Sequence, residues 1–428
     1  MAVTTYSIKK DFSVLNALWL YNTISGENPS NYLYTFIGRT KPWTIENEPP
    51  MPYDNVHDYI DLWKNMISLK RVNYTDMTLA VKKVVWQAGT VYGMYDDCNP
   101  LMNEEDYFVI TSNNKVYKCI NNNNNSASTI EPNSDSLTPY EESDGYKWQL
   151  MYKISDADML KWNNDKVIPV KELTSDDGSV QWQVQTNAVN GAIDCIMIDN
   201  AGSGYLSAPT ITITGDGTGA TAQAVLIGDH IGKVIIRNRG SGYTYATINI
   251  SGNATLRPVI SPIGGHGSNA VSELNARYLI VRSIFDKDED GTFPTDIAFR
   301  QVGLIVNPES INGGPAISSA GIRQITNISI STSSANYIYN EKIINQTNNS
   351  TAILSSKDDG VLGLTDINGS FNVGDSILGE NSGITSTIDE IAHGSLIPYS
   401  GHVLYSENRE AVQRLSTQAE TYKIVIGF

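Results

Sequence analysis

Two segments near the start of the chain repeat apolar side chains with the three-and-four spacing of an amphipathic helix. The first spans residues 11–24, where Asp11 can cap the helix, and its apolar positions are Phe12, Leu15, Leu18 and Trp19. The second spans residues 54–66, with apolar positions at Val56, Tyr59, Ile60, Trp63 and Ile67. We therefore predict two helices that pack through these faces.

The pattern then changes to the alternation of β-strands. Tyr32, Tyr34 and Phe36 alternate, and the proline run at 48–53 that follows is predicted to be a surface connection, since proline fits neither a helix interior nor a central strand. The clearest strand lies within 144–154. One face carries Tyr146, Trp148, Leu150, Tyr152 and Ile154, and the other carries Lys147, Gln149 and Lys153. Such alternation predicts a half-buried antiparallel strand.

A run of asparagines at 121–125, followed by Ser126, Ala127 and Ser128, interrupts these strands. So polar a tract has little apolar surface to bury, and we predict a flexible loop there.

An internal repeat occupies residues 191–263. The sequence NAGSGY at 200–205 returns as NRGSGY at 238–243, and ITITG at 211–215 returns as INISG at 248–252. Each copy predicts a strand, a glycine-rich turn with a tyrosine, and a second strand. Four aspartates balance four basic residues here, which makes the segment neutral within an acidic chain. We interpret it as an inserted β domain.

A second, fainter duplication occupies residues 317–395. Glu341, Lys342, Ile343 and Ile344 with Asn349 correspond at a constant offset to Asp375, Ser376, Ile377 and Leu378 with Gly383. Paired short strands of this kind predict a small barrel of two similar halves. The module contains three basic residues and eight carboxylates, so it is acidic.

The composition of the chain limits the partners and the locations that we expect for it. The chain has 428 residues, a net charge of −16, and only 18% charged residues. Its length predicts several domains. Its negative charge argues against nucleic acid as a partner, because binding to phosphates relies on lysine and arginine. No apolar run is long enough to span a membrane and no signal peptide is recognisable, so we predict no membrane insertion and synthesis in a cytoplasm.

No motif predicts a catalytic, cofactor-binding or metal-binding residue. The three cysteines (Cys98, Cys119, Cys195) and five histidines (His57, His230, His266, His393, His402) lack ligand spacing, and we interpret the cysteines as reduced thiols. The segment 215–220 resembles a phosphate loop but lacks its lysine, which favours a hairpin turn. The segment 286–291 begins like a calcium loop, yet its twelfth position is Ile297, which favours a solvated loop.

Two alternatives remain open. The pairs Glu104–Glu105 and Glu141–Glu142 suggest a glycosidase, although neighbours in sequence need not face each other across a sugar. The turns of the first repeat could instead present Tyr205 and Tyr243 to a receptor or carbohydrate. A tyrosine can also stabilise its own turn by packing across it, and we favour that interpretation.

Outside the two modules, a series of segments resembles the baseplate wedge subunit of T-even-type contractile-tailed phages, the gene product eight family. The segments are YTFIGRTKPW at 34–43, PPMPY at 49–53, DGYKW at 144–148 with Tyr152 and Ile154, FRQVGLIVNP at 299–308, SGHVLYSENR at 400–409, and IVIGF at 424–428. Their order along the chain makes the resemblance specific. The chain departs from the family at Glu410 and Ala411, where prolines are expected.

The resemblance implies a non-catalytic virion protein of the tail baseplate, without cofactors, that forms a homodimer and binds other wedge proteins. Together with the patterns above, it predicts a mainly β fold, with a β-sandwich-like core and a few N-terminal helices. The predicted domains are a core of residues 1–190, 264–316 and 396–428, an inserted repeat module at 191–263, and an inserted barrel-like module at 317–395. Seven tryptophans and 23 tyrosines would provide contact area for assembly.

Overall fold

The computed structural model describes residues 12–25, 30–162, 164–286, 292–316 and 321–428, with the side chain of Asn103 excepted. These residues form a mainly β, multidomain protein, which confirms the predicted fold class. They divide into two compact units. The first contains Thr78–Ile280 and Val425–Phe428, and the second contains Leu20–Met77 and Val281–Ile424. No helix in the described ranges is both long and apolar enough to cross a bilayer.

Helix α1 spans Ser13–Ile24, so the cap predicted at Asp11 lies outside the described residues. The packing face predicted for this helix is wrong. Phe12, Leu15 and Trp19 are exposed, whereas Ala17, Leu20 and Ile24 are buried. Apolar residues occur on more than one side of α1, and the buried set also follows helical spacing, so periodicity alone could not select the face.

Helix α2 spans Val56–Asn65 and begins after Asn55, whose Oδ1 accepts a hydrogen bond from the N–H of Asp58 at 2.9 Å. This is the N-cap interaction that sets the start of a helix. Trp63 is buried as predicted, but Val56 is 74% exposed because it lies in the first turn, beyond the packed part of the helix.

In chain order, the remaining elements up to residue 190 are β1 (Leu33–Gly38), β2 (Met66–Arg71), β3 (Met77–Lys82), β4 (Phe108–Ile110), β5 (Lys115–Asn121), β6 (Tyr140–Glu141), β7 (Lys147–Lys153), α3 (Asp156–Trp162), β8 (Val167–Val170) and α4 (Val180–Asn187). In the first unit, β3 pairs with β8, and a four-stranded antiparallel sheet has the order β4-β5-β7-β6. Trp148 and Tyr146 stack in the core of that sheet, with ring centroids 5.4 Å apart.

Strand β7 confirms the predicted apolar face but is not half buried. Gln149 and Met151, on its other face, are 1% and 0% exposed. Nε2 of Gln149 donates to the carbonyl of Leu137, a residue of the loop that precedes β6. This loop shields the second face, and a loop position cannot be read from the alternation of a strand.

The asparagine run forms a compact turn after β5 rather than a polar tract without buried groups. Asn122 is 4% exposed, and its Nδ2 donates to the carbonyl of Tyr92. Asn123, Asn124 and Asn125 all have positive φ angles, a conformation that asparagine tolerates better than most residues. The run therefore contributes turn geometry and buried hydrogen bonds.

The first repeat forms six strands: β9 (Ile193–Asn200), β10 (Ile211–Gly215), β11 (Thr218–Ile227), β12 (His230–Ser241), β13 (Ala246–Ile250) and β14 (Thr255–Ile260). The two copies exchange strands. The first strand of each copy pairs with the third strand of the other, giving β9 with β14 and β12 with β11, while β10 pairs with β13. Neither copy can therefore complete its hydrogen bonds without the other.

The two glycine-rich turns of this module have the same construction. Oδ1 of Asn200 accepts from the N–H of Gly202, and Oδ1 of Asn238 accepts from the N–H of Gly240, both at 3.0 Å. The φ angles of Gly202 and Gly240 are 65° and 62°, in the left-handed region that suits glycine. The structure thus bears out the sequence repeat at the level of individual hydrogen bonds.

The ends of the module are adjacent, as an insertion requires. The N–H of Gly264 donates to Oδ1 of Asn190 at 2.9 Å. Cys195 and Val259, from β9 and β14, share a hydrophobic cluster with Trp148 of the neighbouring sheet. The boundaries 191–263 of an independent inserted domain stay a prediction.

After α5 (Ala270–Glu273), the strands are β15 (Tyr278–Phe285), β16 (Ile297–Val306), β17 (Gly321–Arg323), β18 (Thr326–Ile330), β19 (Lys342–Asn345), β20 (Thr351–Asp358), β21 (Val361–Asn368), β22 (Ser376–Gly379), β23 (Thr385–Ala392), β24 (His402–Arg414) and β25 (Glu420–Gly427). Strands β18 to β23 close a barrel in the order β18-β21-β20-β19-β22-β23. The predicted small barrel is confirmed, whereas its boundaries as an inserted domain at 317–395 stay a prediction.

The barrel also shows the predicted two halves. Asn349 and Gly383 occupy equivalent turns with φ angles of 62° and 69°. The N–H of Asn349 donates to the carbonyl of Asn345 at 2.8 Å, and the N–H of Gly383 donates to that of Gly379 at 2.9 Å. The faint sequence duplication therefore corresponds to a structural one.

A five-stranded sheet of the second unit has the order β17-β2-β1-β16-β24. Strand β1 is buried along its whole length, with Tyr34 opposite Ile305 and Phe36 opposite Gly303 of β16. Strand β24 is an edge of this sheet, and within the described part of the chain it pairs with β16 alone. These strands support the site described next.

Candidate functional site

A groove of about 580 Å³ lies in the second unit, between the start of α2 and strand β24. Four of the segments quoted for the family resemblance contribute to its lining. They supply Trp43, residues 50–53, Gln301, and residues 403–406 with Asn408. Residues that are far apart in sequence meet here because β16 and β24 are neighbours and the proline segment crosses beside them.

The rim of the groove carries three exposed apolar side chains. Met51 is 72% exposed, Tyr53 is 69% exposed, and Leu404 is 43% exposed. The side chains of Pro50 and Pro52 lie among them. Prolines restrict the backbone, so this wall is formed before a partner arrives and costs little entropy to order. Exposed apolar patches of this kind mark protein-binding sites.

Specific hydrogen bonds hold the proline segment in place. Nδ2 of Asn408 donates to the carbonyl of Pro50 at 2.8 Å, and Nε2 of Gln301 donates to Oδ1 of Asn408 at 3.0 Å. At the other end, the N–H of Tyr53 donates to Oδ2 of Asp58 at 2.8 Å. The segment is thereby fixed to β24, β16 and α2.

Glu46 organises the end of the groove near Trp43. Its carboxylate accepts from Nε of Arg300 at 2.6 Å, from the N–H of Trp43, and from the N–H of Ala411. Nε1 of Trp43 donates to the carbonyl of Arg409 at 2.8 Å. A proline at position 411, as the family resemblance predicts, has no N–H and could not make this bond.

The groove is acidic. Its lining includes Asp54, Asp58 and Asp61, and among the described lining residues there is no lysine or arginine. The guanidinium of Arg39 stacks 3.9 Å from the Trp43 ring and lies 3.6 Å from Asp61. Burial raises the pKa of Asp61, and the nearby Arg39 opposes that effect. The surface can therefore attract a basic partner.

The tyrosines of the first repeat module each bond to the opposite copy of the repeat. The hydroxyl of Tyr205 accepts from the N–H of Ala254 at 3.0 Å, and that of Tyr243 accepts from the N–H of Ala220 at 3.3 Å. Tyr243 is 5% exposed. The two hydroxyls thus hold segments of the opposite copy, a structural role that differs from the packing across their own turns that we favoured over presentation to a ligand.

The segment 215–220 makes a turn between β10 and β11, whose arms meet in one antiparallel bridge, Thr210 with Gln223, while the two strands otherwise pair with β13 and β12. Asp216 accepts from Thr244 and from the N–H of Tyr245, and these hydrogen bonds lower its pKa to about 2. The calcium-like segment lies almost wholly outside the described residues, which resume only at Thr292.

A second, polar cleft of about 670 Å³ lies within the first unit, between the asparagine turn and the repeat module. It brings together Glu105 and Glu141, one residue from each predicted carboxylate pair. Glu141, however, forms an ion pair with Lys233, and Glu105 accepts from Nδ2 of Asn99. Each carboxylate thus binds a different neighbouring side chain, and the two do not share a hydrogen bond.

One cluster was missed from the sequence because it is built of adjacent residues without a recognised spacing. Ligand atoms of Asp96, Asp97 and Cys98 lie within 4.8 Å of one another. Arg257 already binds both oxygens of Asp96, at 2.9 and 2.7 Å, so the cluster functions as an ion-pair site in this structure. The three cysteines are all free thiols.

These features define a multidomain β protein that presents a preformed groove with acidic and apolar side chains. The chain is similar to the baseplate wedge protein gp8 of Enterobacteria phage T4, with 22% identity over 218 residues. The match covers 42% of this chain and 65% of the relative, which is less than two thirds of the relative's length. No family model matches the chain. The resemblance seen in the sequence is therefore confirmed as a distant relationship.

Proposed function

We propose that this chain is a structural subunit of the baseplate of a contractile phage tail and acts by binding other proteins, without catalysis. The observation that carries the proposal is the convergence of four family-like segments on one exposed groove. If these segments only stabilised the core, we would expect their side chains to be buried within the sheets. Instead, Met51, Tyr53 and Leu404 lie at the surface. The distant similarity to a baseplate wedge protein supports the same role.

The proposed partners are a second copy of this chain and other wedge proteins, and the proposed location is the tail baseplate of the virion. The exposed Leu15 and Trp19 of α1, and Phe12 just before it, add further apolar surface that assembly could cover. The net charge of −16 favours protein partners over nucleic acid.

Disruption of the gene in the phage that encodes this chain tests the proposal. We expect infected cells to produce DNA-filled heads without complete tails, and a plasmid copy of the gene to restore tailed particles. Electron microscopy of lysates provides the measurement. Complete, infectious tails formed without this protein would contradict an essential structural role.

A further inference from the structure

The groove continues onto an open strand edge. Strand β24 is 13 residues long, and in the described ranges no strand pairs with its outer side. Its later part is covered, because Trp43 and Glu46 bind the carbonyl of Arg409 and the N–H of Ala411. The uncovered stretch therefore runs from His402 to Glu407, and four of its residues line the groove.

An open edge of this kind offers unpaired backbone N–H and carbonyl groups to another chain. Proteins commonly protect edges with lysine, proline or a short strand, yet positions 402–407 (HVLYSE) contain neither lysine nor proline. A single register shift, at Leu404, interrupts this stretch. Within the uncovered stretch, the pairing with β16 is regular from Tyr405 to Glu407, so the backbone there can accept another strand.

The side chains beside this edge indicate which segment would fit. The apolar groups of Met51, Tyr53 and Leu404 suit an apolar side chain, and the carboxylates of Asp54 and Asp58 suit a cation. Alternate residues of an added strand would point into the groove, while its backbone would bond to β24.

We propose that the groove binds an extended segment of another baseplate protein, about six residues or roughly 20 Å long, which adds as a strand to β24. The segment carries apolar side chains that enter the groove and a lysine or arginine that pairs with its acidic rim. This inference rests on the proposed function, since it names the partner segment for the same surface.

The probe for this proposal is a fluorescein-labelled peptide, Gly-Lys-Val-Thr-Leu-Thr-Lys-Gly, blocked at both ends. Its binding to the full-length protein is followed by fluorescence anisotropy at low salt, which strengthens rim electrostatics. A matched peptide has glutamate in place of both lysines. We expect the lysine peptide to bind at least about tenfold more tightly, because like charges at a rim disfavour association.

Two sets of N-methylated peptides then test strand addition. Successive residues of a strand direct their N–H groups to opposite edges, so methylation of one alternate set removes the bonds to β24 and the other set leaves them intact. We expect one set to weaken binding at least about tenfold and the other less than about twofold, given the loss of several hydrogen bonds.

The protein variant Asp54→Lys tests the acidic rim, and Asp389→Lys, an exposed carboxylate of the barrel outside the groove, is its matched control. We expect Asp54→Lys to weaken the lysine peptide about fivefold, equivalent to about 1 kcal/mol, and Asp389→Lys to leave it unchanged. The proposal is overturned if the lysine peptide does not bind at about 1 mM, if it binds no better than the glutamate peptide, or if both methylated sets bind equally. Such results would leave the gene-disruption outcome unaffected, so the two hypotheses fail separately.

Discussion

Glu273→Gln is expected to lower the free energy of unfolding of the first unit by about 3–5 kcal/mol, because it leaves a buried ammonium group without its counter-ion. Nζ of Lys118 lies 2.6 Å from Oε2 of Glu273, and the two side chains are 0% and 3% exposed. The same carboxylate accepts the N–H groups of Gly267 and Asn269, so it also fixes the loop that leads out of the repeat module.

The exposed pair Lys233–Glu141 provides the control within the same unit, with side chains 45% and 38% exposed. Glu141→Gln should cost at most about 1 kcal/mol, since surface ion pairs contribute little. Urea denaturation followed by tryptophan fluorescence measures both effects. Replacing both buried partners, with Lys118→Met and Glu273→Gln, should recover part of the loss. If Glu273→Gln and Glu141→Gln lowered the free energy of unfolding equally, the buried pair Lys118–Glu273 would contribute no more to stability than an exposed pair.

The second large effect is a loss of stability in mild acid that originates at His266. Its ring is 5% exposed, packs edge-on against Tyr95 with centroids 4.8 Å apart, and has an Nδ1 atom without a hydrogen-bond partner. Burial lowers its pKa well below the ordinary value, and the positive charges of Lys118, Arg239 and Lys147 act in the same direction.

The sign of this effect follows from proton uptake. Below pH 6.5 the unfolded chain binds a proton at His266 and the folded chain does not, so stability falls as the pH decreases. The loss is at most about 1.4 kcal/mol per pH unit, or about 2 kcal/mol between pH 6.5 and pH 5. The neighbouring Asp194 acts oppositely, because burial raises its pKa and the folded chain gains a proton there as the pH falls.

The variants His266→Gln and Asp194→Asn separate these contributions. When the pH is lowered from 7 to 5, the free energy of unfolding should decrease by about 2 kcal/mol less for His266→Gln than for the unchanged chain. Asp194→Asn should give a steeper fall. An unchanged pH dependence in His266→Gln would mean that the histidine is protonated in the folded state.

The sequence predicted those features that depend on local pattern. Alternation located β7, the proline segment at 48–53 was correctly placed at the surface, and the repeated turns at Asn200 and Asn238 predicted a duplicated module. Each of these properties requires only neighbouring residues. Glycine and asparagine at fixed positions specify the turns directly.

Features that depend on long-range packing could not be predicted. The exchange of β11 and β14 between the repeat copies leaves no mark on the hydrophobic pattern. Lys118 and Glu273 are separated by 155 positions, and neither belongs to a motif. Likewise, the groove exists only because β16 brings β24 beside the proline segment, so its family-like segments were visible in the sequence while their convergence was not.

A density map of the intact tail tip would decide whether this chain is a baseplate component. We expect density in the baseplate that fits both described units, including the six-stranded barrel and the strand-exchanged repeat module. The groove beside Met51 and Tyr53 should be covered there by another protein chain. A baseplate resolved throughout, with every chain assigned and none having this fold, would contradict the claim.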